Sequence, residues 1–244
     1  MNREGLHGRS DWRMPNRREL RSLIDHGQSR PALPAGHPFR EVFLGWVWSS
    51  TTKAGQPGYA WNTHLEGGRT FYSRKDEERL LWPVRGESAV LAQTGQAEVY
   101  GEAPGQDGAL RMGVGWPGER IVPTARGVAD RLTGIEWSRP ADGAALGWEQ
   151  ARELAAAHAA QGWRLPDINE LESLVDAGRA DPTLCGGVFD GAVPEGLWSA
   201  TTSGFDPAWA FVLYADKGAV GVGFKANRDF DAWLVRPQRR VHPR

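Results

Sequence analysis

The stretch Gly162-Trp163-Arg164-Leu165-Pro166-Asp167-Ile168-Asn169-Glu170-Leu171 reads as a short strand, a proline break and the start of a helix. Asp167 stands where an N-cap belongs, and Glu170 three residues on completes a capping box. Leu171, Leu174 and Val175 form an apolar stripe, and Gly178 is placed to end the helix. A second copy lies near the N-terminus: Asp11-Trp12-Arg13-Met14-Pro15-Asn16-Arg17-Arg18-Glu19-Leu20. There Asn16 caps, Glu19 is at N3, Leu20, Leu23 and Ile24 form the stripe, and Gly27 ends it.

The repeated anchors Trp12, Arg13 and Pro15, and Trp163, Arg164 and Pro166, read as structural. A guanidinium satisfies several carbonyls or one buried acid, and proline presets the helix entry. Asp25 and Asp176 recur near the helix C-termini, where the helix dipole disfavours negative charge. Each is therefore expected to accept specific hydrogen bonds, with Arg13 and Arg164 as candidate partners.

Outward from the first anchor, a proline-rich loop spans 29–38, and Trp46 to Thr52 reads as a strand rich in aromatic and hydroxyl residues. Tyr59 to Leu65 is a second strand, Arg69 to Ser73 a third, and Leu81 to Arg85 a short closing strand in which Pro83 marks an edge or bulge. Around the second anchor, Val128 to Trp137 reads as a hairpin about Thr133-Gly134, followed by a helix from Gly147 to Gln161. Strands follow at Leu197–Thr202, Trp209–Tyr214, Val220–Lys225 and Trp233–Arg236.

The offsets are nearly constant: Trp12 to Trp163 is 151 residues, Trp48 to Trp198 is 150, Trp61 to Phe211 is 150 and Trp82 to Trp233 is 151. Elements in one order at one offset imply two copies of one fold. The expected division is a first domain over 1–86, a Gly-rich connection over 87–119 and a second, complete domain over 120–244. Only eleven residues precede Trp12, so the first copy lacks the opening strands and first helix. Either the start is placed too late, or the first unit borrows those elements.

Composition is that of a globular protein, with 40% hydrophobic residues, twelve tryptophans and a net charge of −1. The balance hides basic ends: residues 1–40 carry +4, residues 217–244 carry +5, and the middle carries −10. One cysteine, Cys185, excludes an intrachain disulfide and cysteine-rich metal sites. No apolar run reaches the roughly 18–20 residues of a membrane span, and the start is not a signal peptide. Taken with Met1 as its true start, the chain is cytoplasmic.

The combination of Asp11 to Asn16 with Glu19-Leu20, Trp48 to Thr51, Tyr59 to Trp61 and Val84-Arg85 resembles the Lcl C-terminal domain family, named for the end of a bacterial collagen-like adhesin. The second copy matches through Val128 to Trp137, Gly162 to Leu171, Trp198 to Thr202, Trp209 to Phe211 and Val235-Arg236. Thr94-Gly95-Gln96 and Gly113 to Pro117 look like a lead-in to a further copy. The resemblance implies an α+β, C-type-lectin-like fold in tandem, with two helices flanking small antiparallel sheets. It also implies export to the periplasm or cell surface, and a glycan or surface protein as partner, since the founding adhesin binds sulfated polysaccharides. A start placed too late accounts for both the missing export signal and the incomplete first copy.

No catalytic constellation is visible. The six histidines show no ligand spacing, and neither a nucleophile elbow nor a phosphate loop occurs. Formylglycine-generating enzymes share the fold type, but their chemistry needs more than Cys185. Pro194-Glu195-Gly196 lacks the ligands of a calcium-dependent sugar loop, and Asp229 and Asp231 are too few oxygens for calcium, so neither metal nor cofactor is expected. Nucleic acid is not expected either, since no basic-aromatic stripe accompanies a recognised fold. The expected function is non-catalytic binding of carbohydrate or polyanionic glycan, with Phe205, Trp209, Lys225, Asn227, Arg228 and Arg236 as candidate contacts. The alternative is a structural or protein-interaction module.

Overall fold

The computed structural model describes residues 2–3, 5–138, 145–186 and 193–238. The chain divides into two units, Met1–Gly115 with Asp176–Ala180, and Trp116–Val175 with Asp181–Arg244.

In the first unit the capping box forms as the residue types dictate. The Asn16 side chain accepts from Glu19 N at 2.9 Å, and Glu19 Oε2 accepts from Asn16 N at 2.8 Å. The helix α1 it starts is short, Arg17–Arg21. Leu23 and Ile24 continue the apolar stripe in turns closed by bonds to residues three positions back, which the periodicity alone does not distinguish from helix. Three antiparallel strands follow: β1 (Trp46–Thr52), β2 (Tyr59–His64) and β3 (Thr70–Arg74). Leu20, Ile24, Ala32, Val47 and Leu65 form the core between α1 and the strands. The expected strand at Leu81–Arg85 is reduced to one bridge, Arg13 with Val84, since Pro83 offers no N–H to a ladder.

Residues 87–115, read as a connection, belong to this unit. They carry a short helix α2 (Asp107–Leu110). The Gln96 side chain accepts from Thr52 N at 3.0 Å and donates to Thr52 O at 2.7 Å and to Ala177 O at 3.2 Å. Glycine density marks turns here rather than an unpacked linker. At Gly108 a Cβ would lie 2.0 Å from Glu98 O, so only glycine permits that approach.

The second unit opens with β4 (Ile121–Pro123), β5 (Gly127–Asp130) and β6 (Ile135–Ser138). Helix α3 (Trp148–Ala157) follows and ends in a 3-10 turn, Ala159–Gln161. Helix α4 (Ile168–Ser173) carries the same capping box as α1. Then come β7 (Gly196–Thr202), β8 (Trp209–Tyr214), β9 (Ala219–Phe224) and β10 (Val235–Pro237). The closing strand β10 pairs with β6 in a sheet ordered β10-β6-β5-β4, and β7, β8 and β9 pair in sequence, all antiparallel. Trp137, Leu171, Leu174, Leu197, Phe211, Trp233 and Val235 share one buried cluster with Cys185.

The partners expected for the two anchor arginines are corrected. Arg13 forks onto Glu19 at 2.7 and 2.5 Å, and Arg164 onto Glu170 at 2.7 and 2.5 Å. The N3 glutamates already face the anchors through their capping bonds, so they stand nearer than the helix-terminal acids. Asp25 and Asp176 instead accept the backbone N–H two residues on, from Gly27 and Gly178, at 2.9 Å each. Burial differs between the two forks: the side chains are 12% and 12% exposed for Arg13–Glu19, but 50% and 19% for Arg164–Glu170. Replacing Arg13 with alanine is therefore expected to cost about 2 kcal/mol, and replacing Arg164 less than about 1 kcal/mol. Urea melts of the two variants check this, and equal losses would contradict it.

Candidate functional site

Helix α3 is positioned by its first turn. Trp148 N donates to Lys225 O at 3.3 Å, its Nε1 donates to Ser199 O at 2.8 Å, and Lys225 Nζ lies 4.0 Å from the ring centroid. Its apolar face, Trp148, Ala151 and Ala155, packs on Trp163, Leu165, Trp198, Ala210, Val212, Phe230, Ala232 and Leu234. Alanines at that spacing let the helix lie close to the sheet face. Trp198 Nε1 donates to Leu146 O at 2.8 Å, tying the approach to the helix as well.

At the same offsets in the first unit stand Trp12, Met14, Trp48, Ala60, Leu81 and Pro83, with Ser49 and Lys75 in place of Ser199 and Lys225. All eight line one open cleft of about 620 Å³. Lys75 Nζ donates to Thr52 Oγ1 at 2.9 Å, as Lys225 does to Thr202 Oγ1 at 2.8 Å, so the ammonium is held in the same way. Burial pushes the Lys75 ammonium below the usual lysine range. No counterpart of α3 covers this face among the described residues. Leu81 is accordingly 47% exposed, where its counterpart Ala232 is 4% exposed. Tyr100, Ala103, Pro104 and Gln106 add a further wall. Burial and a hydrogen bond to Glu98 push the Tyr100 phenol up to about 12, so it stays neutral.

The strand face repeated at the offset of 150 to 151 is plain in the sequence. That this face is open in the first unit is seen only in the folded chain.

A model of the Lcl C-terminal domain matches residues 1–85 and 126–236. The chain belongs to the Lcl C-terminal domain family. No curated protein and no solved structure matches it.

In this Lcl C-terminal domain chain the residues expected to touch glycan do not form one patch. Lys225, Asn227 and Arg228 gather at the start of α3, where Arg228 Nε donates to Gln150 Oε1 at 2.8 Å and Lys225 covers Trp148. Arg236 lies at the other end of that helix, about 15 Å away by helix rise, where it donates to Gln161 O at 3.3 Å and to Glu136 at 2.8 Å. Its guanidinium also lies 4.3 Å from the Trp163 ring centroid. Trp209 meets Phe224 with ring centroids 5.4 Å apart, and Phe205 is exposed nearby in sequence. Arg239 and Arg240, part of the basic C-terminal run, lie outside the described residues. Asp231 is a backbone brace, its carbonyl accepting from Trp198 N at 2.9 Å. Among the described residues no three His, Cys, Asp or Glu gather to hold a metal ion, and no helix is long and apolar enough to cross a membrane.

One buried acid in the Lcl C-terminal domain's first unit escaped sequence reading. Asp107 Oδ2 accepts from Thr51 Oγ1 at 2.6 Å and from Thr94 Oγ1 at 2.7 Å. Burial pushes its carboxyl up, against the lowering effect of the two hydroxyls. A folded-state pKa above the unfolded one means that the native state holds the proton more tightly. The resulting stabilisation is complete below the ordinary carboxylate value and is lost as pH rises through the folded value. Replacing Asp107 with asparagine is thus expected to flatten the pH dependence of stability above the ordinary carboxylate value. Its melting temperature, relative to the parent chain, should rise as pH increases; parallel curves would contradict the assignment.

Proposed function

We propose that the chain is a non-catalytic binding module of tandem, C-type-lectin-like domains, and that its ligand is a protein held in the cleft of the first unit. The observation that carries this is the contrast between two equivalent faces. One is closed by α3; the other leaves Leu81 exposed and Trp12, Met14, Trp48 and Pro83 half-buried along an open cleft floored by Ala60. An exposed apolar concavity of this kind is where a partner buries area. The protein reading is favoured over a polyanionic glycan because Arg236 is engaged by Glu136, and Lys225 and Arg228 are engaged by the α3 segment. The exported location that the family resemblance implies is part of the same proposal.

An apolar fluorescent dye tests the cleft directly. Its emission should rise with the parent chain and fall sharply with Ala60→Trp, which fills the cleft, or Leu81→Glu, which charges its rim. A dye response unchanged by both substitutions removes the cleft as an accessible apolar site, and the reading with it.

A further inference from the structure

Resting on that reading, we infer that the cleft receives an amphipathic helix supplied from outside residues 1–244, with a tryptophan in its first turn and small residues three and seven positions later. The second unit shows what this surface accepts. There the occupant is Trp148 with Ala151 and Ala155, and it makes two indole hydrogen bonds across the seat, Trp148 Nε1 to Ser199 O and Trp198 Nε1 to Leu146 O, both at 2.8 Å. The first unit keeps the receiving half of that arrangement. Ser49 follows Trp48 in the same strand irregularity as Ser199 follows Trp198, and Lys75 is fixed on Thr52 as Lys225 is on Thr202. Trp48 Nε1 has no hydrogen-bond partner among the described residues, whereas Trp198 Nε1 has Leu146 O. A helix whose lead-in carbonyl reaches Trp48, and whose own indole reaches Ser49 under the Lys75 ammonium, restores both bonds.

The same comparison argues against a strand as occupant. In the second unit Leu234 N donates to Ser138 Oγ at 2.9 Å, joining the closing segment to β6. Its counterpart in the first unit is Pro83, which has no N–H to give. Proline at that edge blunts strand addition while leaving the helix seat intact. The wall from Tyr100 to Gln106 adds further surface for the helix to meet.

The probe is a labelled peptide of residues 145–161, Ala145 to Gln161, titrated against the full chain by fluorescence anisotropy. Saturable binding is expected, weakened about 30-fold by Trp148→Ala in the peptide, the loss typical of a buried aromatic anchor. Binding should also be abolished by Ala60→Trp or Leu81→Glu in the protein. Leu81 is at the rim, so its variant folds even if Ala60→Trp does not, and thermal melts confirm this. Absence of saturable binding overturns the proposal. So does binding that persists in both protein variants, because the peptide then sits elsewhere, as by displacing α3. Self-association that Leu81→Glu abolishes would make a second copy the occupant, and also overturns it. If the dye binds the cleft but the peptide does not, the helix assignment alone falls; if neither binds, the cleft reading falls too.

Discussion

Replacing Arg120 with alanine is expected to destabilise the second unit by about 3–5 kcal/mol. Arg120 and Asp130 are 5% and 0% exposed in their side chains. The guanidinium donates to both carboxylate oxygens, at 2.9 and 2.6 Å, and Nη2 also reaches Ser173 O at 2.6 Å. It lies 4.4 Å from the Trp116 ring centroid. Removing it leaves the buried Asp130 carboxylate without its guanidinium partner, with the Leu132 N–H at 2.9 Å from Oδ1 as a neutral donor. The cost is thus that of an orphaned charge, not the worth of the pair. The double replacement Arg120→Met with Asp130→Leu should recover most of the loss, because neither desolvation penalty remains. Chemical denaturation of the three chains decides the matter; a double variant as unstable as the single one would show that the pair itself supplies the stability.

The second large effect is a contrast between counterparts. Trp198→Ala is expected to cost about 3–5 kcal/mol, as for a fully packed aromatic. Trp198 is fully buried, donates to Leu146 O at 2.8 Å and meets the edge of Phe230 with ring centroids 4.9 Å apart. Trp48→Ala should cost only about 1–2 kcal/mol, because its ring lines an open cleft and less apolar area leaves water when it folds. Denaturant melts of both variants measure the difference. Equal losses would mean that the cleft side of the first unit is packed as tightly as the seat of α3, and would undercut the binding reading.

Much of this was legible in residue order. Asn16 with Glu19 and Asp167 with Glu170 announce their helix starts, because capping is local chemistry and needs no tertiary knowledge. The hairpin about Thr133-Gly134 and the helix after Gly147 were legible for the same reason. Less was legible wherever one side chain had several acids in reach. Arg13 had both Glu19 and Asp25 within a short stretch of sequence, and only the folded corner places Glu19 beside it. Within the expected connection over 87–119, the hold on β1 runs through Gln96 and Asp107, polar residues that leave no periodic trace in sequence. Among the expected glycan contacts, nothing in sequence shows that α3 stands between Arg228 and Arg236.

The distribution of indoles gives the molecule an optical label. Trp61, Trp137, Trp148, Trp163, Trp198 and Trp233 are buried, and five of these six belong to the second unit. Trp12 and Trp48 both border the open cleft. Blue-shifted emission shielded from a soluble quencher therefore comes mainly from the second unit, while a quenchable red component includes the cleft itself. Whatever fills that cleft should announce itself by protecting those two rings, without any added dye or tag.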